Sequence, residues 1–240
     1  MIGILLTVYA GLEHAFEVDH LLAVNSLVTN RNKIKEAVKD GIFWGIGHTF
    51  TIFIVGVVMI GFKVAISETV FRYLEATVGL MLIALGIYRL IKLFKKNKHS
   101  HTYSHTHTHK HSDETIHAHL HTHSYSHSHS LDVLRHEHPD TSKNFKAAFS
   151  IGLVHGLAGS GALVVLVLSQ MKTPLEGLLY ILIFGIGSIL GMFLASGLFS
   201  IPFSKNALKS PKLQYTLIII SSVLCVGFGI KVVWQIVNHY

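Results

Sequence analysis

Six long apolar stretches dominate this chain of 240 residues and leave it few ways to fold. They run from about residue 2 to 28, 41 to 62, 73 to 94, 147 to 171, 175 to 201 and 213 to 237. Each reaches the roughly 20 residues that a helix needs to cross about 30 Å of hydrocarbon. Lipid offers no partners to free backbone groups, so helices are the expected form; the alternating period of a membrane barrel strand is absent. Charged residues make up 14% of the chain and mean hydropathy is +0.48, even with a polar tract near the middle. A soluble domain carries about 25% charged residues. The balance disfavours a soluble enzyme, a nucleic-acid-binding domain and a disordered scaffold. The net charge of +7 is expected to face anionic lipid and not nucleic acid. Cys225 is the single cysteine, which excludes an internal disulfide and any two-thiol redox mechanism within the chain. No Lys or Arg precedes Arg31, and Glu13, His14, Glu17, Asp19 and His20 interrupt the first stretch, so it is not expected to be a cleaved signal peptide.

The loops predict the orientation. Arg31, Lys33, Lys35 and Lys39 follow the first stretch, Lys95, Lys96, Lys98, Lys110, Arg135 and Lys143 follow the third, and Lys205, Lys209 and Lys212 follow the fifth. The other two loops hold only Lys63 and Arg72, and Lys172. By the positive-inside rule, both termini lie outside and the longest loop lies in the cytoplasm, with the protein in the inner (cytoplasmic) membrane. The expected organisation is an all-α integral membrane protein. One three-helix unit spans 1–94, a loop spans 95–144, and a second three-helix unit spans 145–240.

That loop is crowded with histidine. Between His99 and His138, 14 of 40 residues are histidine: His99, His101, His105, His107, His109, His111, His117, His119, His121, His123, His127, His129, His136 and His138. They alternate mostly with Ser and Thr. A tract with so little apolar surface is expected to be disordered. Neutral imidazole binds Zn, Cu, Co and Ni ions, so the tract reads as a loose cytoplasmic metal buffer.

The two halves resemble each other. Gly11-Leu12-Glu13-His14 matches Gly152-Leu153-Val154-His155 at an offset of 141, Gly45-Ile46-Gly47-His48 matches Gly185-Ile186-Gly187-Ser188 at 140, and Gly86-Ile87 matches Gly229-Ile230 at 143. A unit of three spans has an odd number of crossings, so its second copy must sit upside down. Inverted repeats are common in secondary transporters, with the site near the midplane where the repeats meet. The copies differ chemically: His14, Asp19 and His20 align with His155, Ser160 and Gly161, and His48 aligns with Ser188. The small-residue run Gly156-Leu157-Ala158-Gly159-Ser160-Gly161 is expected to bend or unwind its helix and bring backbone close to a ligand.

Ionisable residues at membrane depth are costly and mark an ion or substrate path by default. At about 100° per residue, His14, Glu17, Glu13 and His20 fall within an arc of about 120°, while Asp19 points elsewhere. A regular helix therefore cannot turn His14, Asp19 and His20 onto one ion. Either the helix is distorted here, or Asp19 acts from behind an imidazole by fixing its tautomer. His14, Asp19, His20, His48 and His155 are the candidate metal-binding residues. Glu13, Glu17, Asn25, Thr49, Thr51 and Ser160 are candidates for the surrounding path. Imidazole with carboxylate suits borderline divalent metals such as Ni, Co or Zn. The motifs lack Cys and Met, which disfavours Cu(I), and hold too few oxygens to favour Mg or Ca.

His14-x4-Asp19-His20 is similar to the His-x4-Asp-His signature of the nickel/cobalt transporter (NiCoT) family. Gly47-His48-Thr49 resembles that family's Gly-His-Ser/Thr motif, and Asn25 and Arg31 fall where the family often has Asp or Asn and then Arg. The six-helix length and the His-rich loop also look like the related nickel/cobalt efflux proteins and the short urease-accessory permeases. The resemblance implies that His14, Asp19, His20 and His48 are needed for transport. The chain departs from the uptake permeases in having six apparent helices where they usually have eight. It also lacks their acidic motif in the fourth.

These readings lead to a secondary transporter of Ni2+ or Co2+, with no catalytic residues and no cofactor beyond the metal it moves. A zinc transporter is one alternative; a membrane protein that stores or senses metal without flux is another. No Walker motif is present. The expected partners are membrane lipid, the divalent ion and a cytoplasmic metallochaperone or metalloenzyme maturation system, with no nucleic acid.

Overall fold

A computed structural model describes residues 2–29, 31, 33–62, 67–95, 100–110, 116–126, 141–158, 173–203 and 211–238. Among the described residues the chain is helical apart from one two-stranded ribbon. Its helices are α1 (Ile2–His14), α2 (Val18–Val28), α3 (Ile34–Phe62), α4 (Glu68–Lys95), α5 (Thr141–Ala158), α6 (Pro174–Ser200) and α7 (Pro211–Asn238). Among the described residues, four helices are long and apolar enough to cross a membrane: Ile34–Phe62, Thr69–Phe94, Pro174–Phe203 and Lys212–Asn238. The sequence predicts six spans. The first apolar stretch is two helices and not one, because the chain leaves helical geometry over residues 15–17. The fourth stretch is described only as far as Ala158. The second helix begins seven residues earlier than hydropathy predicts, taking in Lys35, Glu36, Lys39 and Asp40. A helix end can project such side chains into the polar interface while its backbone stays bonded. α6 starts as its sequence directs: Thr173 caps it, accepting from the Glu176 backbone N–H at 3.3 Å, with Pro174 in the first turn.

The ribbon lies in the histidine tract and corrects the expectation of disorder. β1 (Ser100–Lys110) pairs antiparallel with β2 (Ile116–Ser126), with His105 opposite His121, His107 opposite His119 and His109 opposite His117. The reason is the alternation itself. Histidine at every second residue, interleaved with hydroxyl residues including β-branched Thr, is a period-two pattern, which a strand accommodates. His99, His111, His127, His129, His136 and His138 lie outside the described residues.

The helices pack in matched pairs. α1 lies on α6 and α5 lies on α3, α3 also lies on α6, and α4 lies on α7. Glycines set the closest approaches. A Cβ on Gly11 would collide with the Phe184 carbonyl, and one on Gly152 would collide with the Trp44 carbonyl. Likewise Gly47 faces the Phe149 carbonyl and Gly187 faces that of Val8. In the third pair of helices, Gly86 meets the Ser222 carbonyl and Gly229 meets that of Gly79. Each contact has a counterpart in which every residue is displaced by 140 to 143 positions. A side chain at such a point must push two backbones apart. Gly152→Val is therefore expected to destabilise the protein by about 1–3 kcal/mol. Gly227, whose added Cβ would meet nothing within 4 Å, is the control site. Thermal unfolding in detergent would show a lowered midpoint for Gly152→Val and little change for Gly227→Ala.

Candidate metal centre

The break in the first apolar stretch builds the centre. α1 ends at His14, whose carbonyl accepts the Glu17 N–H at 3.1 Å, while the Glu13 carbonyl accepts that of Phe16 at 2.9 Å. These short-range bonds close the last turn. Glu17 then takes extended geometry (φ −62°, ψ 153°) as the N-cap of α2. Its carboxylate does not cap that helix; it bonds His14 Nδ1 at 3.0 Å. Asp19 sits in the first turn of α2, where the helix dipole favours a negative charge, and its Oδ1 accepts the His20 N–H at 2.9 Å. Both alternatives left open by the helical wheel hold together. The helix is broken, and Asp19 stands behind imidazoles.

Four imidazoles converge there. His14 is 3% exposed, and His20, His48 and His155 are fully buried. His48 is the middle residue of α3, and His155 lies near the end of the described part of α5. Ring centroids are 4.4 Å apart for His14 and His20, 5.4 Å for His14 and His48, 5.2 Å for His20 and His48, and 4.1 Å for His20 and His155. Asp19 joins two of the rings, its Oδ1 lying 3.0 Å from His20 Nδ1 and its Oδ2 3.0 Å from His155 Nε2. That leaves His14 Nε2, His20 Nε2, His155 Nδ1 and both nitrogens of His48 buried without hydrogen-bond partners. Polar atoms rarely stay orphaned in a protein interior, so five in one cluster call for an explanation. A metal ion supplies one. A carboxylate on one imidazole nitrogen orients the other toward a metal and raises its basicity. Glu17 does this for His14 and Asp19 for His20. One nitrogen each from His14, His20 and His48 lies within 4.8 Å of the others, as do the ligand atoms of Asp19, His20 and His155.

The remaining candidates separate. Glu13 is exposed and outside the cluster. Thr49 Oγ1 donates to the Gly185 carbonyl at 3.2 Å, tying α3 to α6, and Thr51 Oγ1 donates to the Gly47 carbonyl within its own helix. Asn25 is half-buried one turn past His20, and its Oδ1 has no hydrogen-bond partner. Ser160 lies outside the described residues.

Two aromatic residues escaped the sequence reading. Trp44 lies 5.6 Å from both His20 and His155, and Phe184 lies 5.4 Å from His14. They stand four residues before His48 and Ser188, so the repeat offset could have found them. Arg31, which the sequence offers as a loop charge and a position of the family resemblance, is 4% exposed and bonds Asp40 through two nitrogens, at 2.5 and 2.6 Å.

Comparison with known proteins agrees with a membrane-embedded chain. The chain is 34% identical over 229 residues to a urease accessory protein, UreH, of Bacillus sp. (strain TB-90), an alignment that covers 94% of this chain and 88% of that protein. Of the types likened to the chain above, the urease-accessory one carries the matching name. No solved structure matches. Residues 21–231 match the family described as the cytochrome c biogenesis protein transmembrane region, a span that includes His48 and His155 but begins after the His14-x4-Asp19-His20 run. With Cys225 as its one cysteine, this chain cannot run dithiol chemistry on its own. The four long apolar helices among its described residues and this match over most of its length make it a multi-pass membrane protein, and it belongs to the family of the cytochrome c biogenesis protein transmembrane region.

Proposed function

We propose that the protein is a secondary transporter that moves Ni2+ or Co2+ across the cytoplasmic membrane. One observation carries the reading: four buried imidazoles, three of them in contact with a carboxylate, converge with unpartnered nitrogens where the break between α1 and α2 meets the middle of α3. Such a group at membrane depth is expensive and has no structural use of its own. Imidazole with one half-buried carboxylate suits a borderline dication, and Asp19 offsets part of the ion's charge. The matched glycine contacts support two inverted three-helix repeats with the site where they meet. The break between α1 and α2 supports a discontinuous helix of the kind that holds transported ions. Both termini lie outside and the fourteen loop histidines lie in the cytoplasm, where they buffer the metal. The relative named as a urease accessory protein supports the urease-accessory type. It also supports delivery of the metal to a cytoplasmic maturation system. The chain itself catalyses no reaction.

Flux into proteoliposomes tests this. Vesicles holding the protein should take up labelled nickel faster than empty vesicles, and unlabelled cobalt should compete better than zinc. Stronger competition by zinc would change the cargo. Flux equal to that of empty vesicles, from protein that still binds nickel, would mean storage or sensing.

A further inference from the structure

We propose that the centre offers a single metal ion two successive positions that share His20. The inference rests on the transport reading and adds a path to it. The first position is formed by His14, His20 and His48, all from the first half of the chain. The second is formed by Asp19, His20 and His155, and so includes a ligand from the second half. His20 serves the two with opposite edges of one ring. Its Nε2 is unpartnered, and its Nδ1 meets Asp19 at 3.0 Å.

The shared ring makes the positions exclusive. An ionised carboxylate only accepts hydrogen bonds, so His20 Nδ1 and His155 Nε2 both carry hydrogen in the observed arrangement. The lone pair of His20 is then on Nε2, ready for an ion at the first position. For the ion to reach the second, it must leave Nε2 and bind Nδ1. The Nδ1 proton must move to the vacated Nε2. On His155 the proton must pass from Nε2 to Nδ1, which is buried and unpartnered. Asp19 touches only the nitrogens that give up these protons, so water carried with the ion must return them to the opposite ring edges, His20 Nε2 and His155 Nδ1. Each imidazole begins and ends neutral, and the cluster neither gains nor loses a proton. Filling both positions at once would require an imidazolate, a far less accessible species. One ion therefore steps from ligands of one half to a set that spans both halves. That is the handover alternating access requires.

The test uses the full-length chain with the fourteen loop histidines replaced by asparagine, probed with cobalt(II). The unsubstituted centre should bind one cobalt per chain. His48→Ala should still bind one, with X-ray absorption showing two imidazoles and a carboxylate oxygen. His155→Asn should bind one through three imidazoles. In proteoliposomes both should lose flux by about tenfold or more, the range seen when metal-orienting groups are removed. Each variant must elute as a single species with unchanged helical circular dichroism; His155→Gln replaces His155→Asn if it does not. Two cobalt ions per chain, loss of all binding in His48→Ala, or unreduced flux in His155→Asn would each overturn the two-position path. No cobalt bound in any form would instead overturn the transport site beneath it.

Discussion

His20→Ala should erase the effect of the protein on cellular nickel and cobalt. His20 touches more of the centre than any other residue: rings of His14, His48, His155 and Trp44 all lie within 5.6 Å of its own. It belongs to both candidate ligand groups, so its loss disables both at once. It also strips Asp19 of one of two imidazole partners. Removal of one metal-orienting partner typically lowers affinity or activity 10- to 100-fold, and removal of a shared ligand should reach at least the upper part of that range. The measurement is elemental analysis of cells expressing wild type, His20→Ala or neither. The histidine tract is intact in both proteins, so passive capture by the loop cancels. More metal in wild-type cells would mean uptake, and less would mean efflux. Equal nickel and cobalt in both, with both proteins in the membrane, would sink the centre as a transport site.

How much of this could be read from the sequence depends on the range of the interaction involved. Apolar length is a local property, and the four long helices follow from it. Gly11 and Gly152 stand 141 residues apart and Gly47 and Gly187 stand 140 apart, a regularity visible in the sequence, and each proves to be a point where helices touch. The break after His14 was half legible. The helical wheel required either a distortion or a carboxylate behind an imidazole, and the chain does both, with Glu17 leaving its capping role to hold His14. Contacts between distant segments were beyond the sequence. Nothing in Asp19 alone says that its second oxygen meets His155, 136 residues away. The hydroxyls of Thr49 and Thr51 look like part of the path around the site, yet both donate to backbone carbonyls. The histidine tract was misjudged for another reason. Its composition argues disorder, while its period argues a strand, and the described residues follow the period.

Breaking the Arg31–Asp40 pair should cost more stability than any surface change in this chain. Arg31 is 4% and Asp40 2% exposed, and two parallel hydrogen bonds join them. The guanidinium carbon also lies 5.4 Å from the centre of the Phe145 ring on α5, and that ring stacks on Phe43. Arginine cannot shed its charge. Asp40→Ala therefore leaves a buried cation with only a distant carboxylate, Glu36 at 3.9 Å. The expected loss is about 3–5 kcal/mol, the usual result of removing one partner of a buried pair. Arg31→Met with Asp40→Leu should recover most of it, because two apolar side chains carry no desolvation penalty. Thermal unfolding of the single and double variants in detergent separates these outcomes. Single losses below about 1 kcal/mol would mean that water reaches the pair and screens it like a surface bridge. Flux then asks what the pair is for. Arg31 follows α2, which carries His20, and Asp40 lies two turns before His48 on α3. The pair thus fixes the turn between the two helices that share the first ligand group. A double variant as stable as wild type but slow in flux would show that the pair positions α2 against α3. Full flux would assign it to stability alone.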